Sequence, residues 1–190
     1  MATFVAMLRG INVGGRNRVA MPELRAVVES LGYDDVRTYV QSGNVIFSGS
    51  GRTTTVAGRL ATGLRDDLDV DAAVVVRTGR ELADVRRANP FVADGLRPDD
   101  APTAFHVTFL AGVPDRDRWD ALAADAARFA PDVCRLVGSD VHLHVPGGRY
   151  SDTKLQNAYF EKKLGVTATT RNWKTVGVLA EMAGAEVEGG

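Results

Sequence analysis

Cysteine is nearly absent: Cys134 stands alone in 190 residues. A lone thiol excludes an intrachain disulfide framework and any multi-cysteine metal site. It lies in the strand-like run Val133 to Val137, where a small buried thiol is the expected state. Histidine is scarce as well. His142 and His144 alternate on one strand face with no third ligand in view, so no metal site is predicted and no cofactor is implied. No apolar run approaches the length that spans a bilayer, which argues against a membrane partner. The apolar start is broken at Arg9 and followed by more arginines, unlike a secretory signal. These absences together predict a reduced, cytoplasmic setting.

A formal net charge of -1 leaves no global excess of either sign, yet the charges are unevenly placed. Residues 1–52 carry six basic and four acidic side chains, and residues 149–174 carry six basic and two acidic. Residues 53–148 carry eleven basic and fifteen acidic. If the two basic segments meet in space they form an anion-attracting patch.

Apolar periodicity divides the chain into elements. Thr3 to Leu8 reads as a strand. Met21, Leu24, Val27, Val28 and Leu31 place one stripe on a helix, with Pro22 in its first turn and Gly32 at its end. Val36 to Val40 and Asn44 to Phe47 read as strands joined at Gln41-Ser42-Gly43. Val56, Leu60, Leu64 and Leu68 mark a second helix, weakened by Gly58 and Gly63. Ala72 to Val76 is a short strand, and Thr78-Gly79-Arg80-Glu81 has the spacing of a capping box that opens a third helix towards Ala88.

Phe91 to Pro102 lacks periodicity and reads as a linker. The order then recurs. Phe105 to Leu110 is a strand, and Asp115 caps a helix carrying Trp119, Leu122, Ala126 and Phe129. Val133 to Val137 and Val141 to Val145 form a hairpin, Leu155 to Leu164 a helix ended by Gly165, Val166 to Thr170 an extended piece, and Trp173 to Ala183 a last helix.

Strand-helix-strand-strand-helix-strand is the split β-α-β, ferredoxin-like order. The expected class is therefore α+β: duplicated ferredoxin-like subdomains, with antiparallel sheets and helices packed on one face. The expected boundaries are residues 1–90 and 103–184, a linker at 91–102 and a flexible tail at 185–190. How the two halves pack, and the oligomeric state, stay open.

Four blocks stand out: Leu8-Arg9-Gly10-Ile11-Asn12-Val13-Gly14-Gly15, Met21-Pro22-Glu23-Leu24, Thr38-Tyr39-Val40-Gln41-Ser42-Gly43-Asn44-Val45 and Thr169-Thr170-Arg171-Asn172-Trp173-Lys174-Thr175-Val176. In kind and order they resemble the signature blocks of a bacterial domain-of-unknown-function family, number 1697. The resemblance implies the duplicated ferredoxin-like architecture. It implies no established activity, substrate or cofactor.

The residues themselves suggest a binding surface. Amides of Gly14 and Gly15 can cradle an anion, with Arg9 and Asn12 as side-chain donors, although the loop lacks a Walker lysine and GxGxxG spacing. Its structural alternative is a turn whose polar side chains tie down backbone. Gln41, Ser42 and Asn44 either read a ligand's hydrogen-bonding groups or stabilise a tight turn. Arg171 and Lys174 flank a helix start where Asn172 suits the N-cap, again an anion-favouring place or a scaffold.

Catalytic patterns are thin. Ser151-Asp152-Thr153-Lys154 matches S-x-x-K without its companion motifs. The first reading is a site for a small phosphate- or carboxylate-bearing ligand, with Arg9, Asn12, Ser42, Asn44 and Arg171 converging in one cleft. Loss of either arginine would then weaken binding with little effect on the fold. The second is a nucleic-acid-binding module, although the central strands lack interleaved aromatics that stack bases. The third is a structural or protein-interaction domain without a ligand.

Overall fold

The computed structural model of the protein describes residues 1–12, 14 and 17–184. The chain forms two units: Met1–Ala83 with Leu179–Gly190, and Asp84–Val178. The expected tail, 185–190, lies outside the described residues.

In the first unit β1 (Ala2–Leu8), α1 (Met21–Ser30), β2 (Asp34–Tyr39), β3 (Asn44–Gly49), α2 (Thr53–Leu68) and β4 (Val74–Thr78) follow one another. The sheet order is β2-β3-β1-β4, every neighbouring pair antiparallel. This is the split β-α-β arrangement: β3 is inserted between β1 and β2, which α1 connects. Alternation decides the faces. Phe4, Ala6 and Leu8 of β1 join Val45 and Phe47 of β3 in one core with Leu24 and Val28 of α1 and Val56, Leu60 and Leu64 of α2. The intervening Val5, Met7, Ile46 and Val75 are buried too.

Gly63 explains how α1 and α2 approach. A Cβ there would sit 3.1 Å from Val27 and 3.2 Å from Leu31. The weak helix former is retained for close packing, and α2 runs unbroken through it until Asp69 adopts a left-handed conformation (φ 54°). Gly58 has open space at its Cβ position. Gly58→Ala should therefore stabilise the protein by about 0.5–1 kcal/mol, whereas Gly63→Ala should not. Urea midpoints of the two variants check this; equal gains would contradict the packing argument.

The capping box is formed. Glu81 accepts from the Thr78 N–H at 2.6 Å and the Glu81 N–H donates to Thr78 Oγ1 at 3.2 Å, opening α3 (Gly79–Arg87).

The second unit repeats the strand order. It contains β5 (Phe105–Leu110), α4 (Arg116–Ala126), β6 (Val133–Val137), β7 (Asp140–His144), α5 (Asn157–Leu164) and β8 (Ala168–Asn172), and the unit boundary after Val178 falls within α6 (Trp173–Met182). Its antiparallel sheet has the order β6-β7-β5-β8. Leu110, Val141, Leu143 and Ala168 pack with Leu122 of α4 and Phe160 and Leu164 of α5. Asp115 caps α4 by accepting from the Arg118 N–H at 3.0 Å, and Gly165 ends α5 at φ +71°.

Residues 91–102, read as a linker, lie within Asp84–Val178 and are anchored there. Phe91 is buried with its ring 5.9 Å from that of Phe105. Asp94 pairs with Arg135 at 2.6 Å, and Asp99 accepts from the Trp173 indole N–H at 2.7 Å.

Candidate functional site

The blocks around Asn12 and Gln41, about thirty residues apart in the chain, meet in the first unit. Asn12 adopts a left-handed conformation (φ 54°), which Asn tolerates better than most residues. Its amide nitrogen donates to the carbonyls of Val19 at 3.0 Å and Gln41 at 2.9 Å, while its amide oxygen accepts from the Val19 N–H at 2.9 Å. Both amide hydrogens are thus engaged by backbone. Asn12 closes the β1–α1 loop on itself and ties it to the β2–β3 turn.

Gly43 completes the joint. The Leu8 N–H donates to its carbonyl at 2.8 Å, its φ is +75°, and a Cβ at this position would collide with the side chains of Leu8 and Ile11. Asn44, fully buried, donates to the Tyr39 carbonyl at 3.1 Å and to the Ser42 hydroxyl at 2.9 Å. Val40 is held at φ +49°, a costly conformation for a β-branched side chain. Such strain persists only where the surroundings determine it strongly.

This joint borders an open depression of about 460 Å³ lined by Asn12, Arg18, Val19, Ala20, Glu23 and Gln41. Arg18 and Gln41 are exposed, and neither side chain has a hydrogen bond or ion pair among the described residues. Glu23 lies in the first turn of α1 and accepts from the Ala20 N–H at 3.2 Å. The helix N-terminus adds partial positive charge to this wall.

The other expected residues are distributed as follows. Arg9 is half-buried, and its N–H donates to the Ala73 carbonyl at 2.8 Å. Gly14 has φ +60° with open space around it. Gly15 lies outside the described residues. Ser42 is exposed in the turn.

Arg171, Asn172 and Lys174 belong to the second unit. Arg171, expected to be exposed, is buried, and this corrects the argument that its loss would leave the fold untouched. Its guanidinium donates to Thr169 Oγ1 at 2.8 Å and to the Thr170 carbonyl at 2.9 Å, and burial pulls its pKa down to about 10. Asn172 accepts from the Thr175 N–H at 2.8 Å, so the cap reading holds. Lys174 is exposed.

The same device occurs in the first unit. Arg77 of β4 is opposite Val5 and Arg171 of β8 is opposite Val107. Each donates to the carbonyl of the residue before it, and Thr78 or Asn172 next in the chain caps the helix that follows.

Other candidates resolve by geometry. Ser151 donates to Asp152, and Lys154 precedes α5, so the pair is not one helical turn apart. His142 is buried on β7, whereas His144 stacks on Phe105 at 4.6 Å. Among the described residues no group of three or more His, Cys, Asp or Glu is arranged to hold a metal ion. Cys134 is half-buried, and burial pushes its thiol up to about 11, far from a reactive thiolate. No helix among the described residues is long and apolar enough to cross a membrane.

Arg18 and Glu23 are the charged lining residues, and residue-type reasoning singled out neither as a ligand. Glu23 sits in the Met21-Pro22-Glu23-Leu24 block, which was a usable signal. Arg18 had only the local excess of basic charge.

Residues 1–142 match the family described as Protein of unknown function (DUF1697). The chain belongs to this family. The match takes in all three blocks that contribute to the depression and ends before the Arg171 block. The chain is also similar in fold to the conserved bacterial protein SP0830 from Streptococcus pneumoniae, with a TM-score of 0.72 and 21% identity over 96% of this chain and 98% of that one. At that identity the likeness speaks for the fold. No curated protein matches the chain significantly.

Proposed function

We propose that the depression on the first unit binds a small molecule bearing a phosphate or carboxylate, in a cytoplasmic protein. The observation that carries this reading is that two motif blocks remote in sequence are bonded together through Asn12 and enclose one polar hollow. Asn12 and Gly43 build the hollow. Arg18 and Gln41 supply the groups that face a ligand, beside the positive end of α1. Arg9 and Ser42 adjoin this joint and act on it as supports, and Arg171, Asn172 and Lys174 are assigned to the scaffold of the second unit.

Thermal-shift measurements at low salt test the reading, because a ligand that binds only the native state raises its melting temperature. Millimolar phosphate or citrate should raise the Tm of the wild type. Arg18→Ala should retain the wild-type Tm without ligand and lose affinity by about tenfold or more, the value of one charge-assisted hydrogen bond. A steeply salt-dependent stabilisation by a single-stranded oligonucleotide, with none by small anions, would instead favour nucleic acid.

A further inference from the structure

Two of the side chains lining the depression carry opposite charge, Arg18 and Glu23, and among the described residues no ion pair joins them. Both are left to face the hollow. An anion on Arg18 is favoured, but the carboxylate of Glu23 opposes a second anionic group in the same space. A carboxylate accepts hydrogen bonds and cannot donate them, so Glu23 suits a ligand hydroxyl. The Gln41 carboxamide donates and accepts, which also matches hydroxyls.

The remaining lining narrows the ligand further. No aromatic ring is present among the described lining residues, so a nucleobase finds nothing to stack on. Val19 and Ala20 offer little apolar surface, which disfavours a hydrocarbon ligand. The volume of about 460 Å³ suits a small metabolite.

We infer that the depression takes a polyhydroxylated compound with one anionic group, of the sugar-phosphate class. Its phosphate lies on Arg18, and its hydroxyls lie on Glu23 and Gln41. The assignment rests on the anion-site reading above and goes beyond it in naming the second half of the ligand.

Calorimetric titrations with inorganic phosphate, fructose 6-phosphate, fructose 1,6-bisphosphate and AMP separate the two. Fructose 6-phosphate should bind about tenfold more tightly than phosphate, the value of one or two well-made hydrogen bonds. The bisphosphate and AMP should bind more weakly than the monophosphate.

Glu23→Gln gives the sharper discrimination, because glutamine can still accept from the Ala20 N–H and the fold is retained. It should weaken fructose 6-phosphate and strengthen inorganic phosphate, with opposite signs. Tighter binding of both ligands, or AMP ahead of the sugar phosphate, overturns the sugar-phosphate assignment while leaving an anion site. Absence of phosphate binding, with Arg18→Gln altering nothing, overturns the anion site itself and this assignment with it.

Discussion

Acidification from pH 7 to 4.5 should destabilise the protein well before its ordinary carboxylates titrate, through His106 and His142 of the second unit. Both rings are buried, and burial lowers each pKa from 6.5 to about 4. Neither nitrogen of His142, nor Nδ1 of His106, has a hydrogen-bond partner among the described residues. Above pH 6.5 both rings are neutral whether the chain is folded or not, and they contribute no pH dependence. Between 6.5 and about 4 the unfolded chain binds protons that the folded one excludes, so stability falls as the pH falls. Below about 4 this loss is complete.

Each histidine can account for about 3 kcal/mol over that window, a large share of a typical domain's stability. Urea unfolding at pH 7, 5.5 and 4.5 measures the effect. His142→Leu removes an unpartnered polar ring from a buried site. It should be neutral or stabilising at pH 7 and should flatten the dependence by about half. An unchanged slope in that variant, or a wild type equally stable at pH 7 and 4.5, would contradict burial as the cause.

The second large effect is expected at Gly43. A Cβ there would lie 2.7 Å from Ile11 Cδ1 and 2.8 Å from Leu8 Cβ, on a backbone with φ +75°. Gly43→Ala therefore combines left-handed backbone strain with overpacking, a cost of roughly 2–4 kcal/mol. Gly10 is the internal control: its φ is +74°, yet nothing lies within 4 Å of its Cβ position. Gly10→Ala should lose only about 1–2 kcal/mol, the backbone share. The difference between their urea midpoints isolates the contact between turn and loop. If the two variants were equally destabilised, the turn would not be packed against the β1–α1 loop as described. Because Gly43 packs the turn that carries Gln41 against the loop that carries Asn12, ligand-induced stabilisation should weaken in Gly43→Ala and persist in Gly10→Ala.

The extent to which the fold could be read in advance varies with the range of the forces involved. Asp115, Thr78 with Glu81, Asn172 and Gly165 act within a single turn, and each does what its residue type suggests. A short run of mainly apolar residues likewise identified β1 and β5, and both strands are buried on both faces along most of their length.

The errors share one cause. Ala72 to Val76 and Val166 to Thr170 were expected as strands, but β4 and β8 run two residues later, to Thr78 and Asn172. In each case the extended segment was ended just before a charged or polar pair, Arg77-Thr78 or Arg171-Asn172. Pairing continues through it, with Phe4 opposite Thr78 and His106 opposite Asn172. Hydrogen bonding to a strand distant in sequence outweighs local hydropathy there. Gly63 is similar: its helix propensity is poor, and only the approach of Val27 and Leu31 shows why it is kept.

The candidate site divides in the same way. Glycine, asparagine and arginine around residues 9–15 and 41–44 marked a special surface, since these residue types permit unusual backbone and offer fixed donors. Which of them face a ligand was beyond local reasoning. Asn12 has the donors of a ligand-binding residue, yet the carbonyls of Val19 and Gln41 engage both hydrogens of its amide. Arg171 has the charge of an anion site, yet Thr169 and the Thr170 carbonyl hold it in a buried place. Composition, element order and caps follow from short-range physical chemistry that the chain carries residue by residue. The partner of each polar side chain, and with it the difference between scaffold and site, depends on which distant backbone groups folding brings within hydrogen-bond range, and only the tertiary structure decides that.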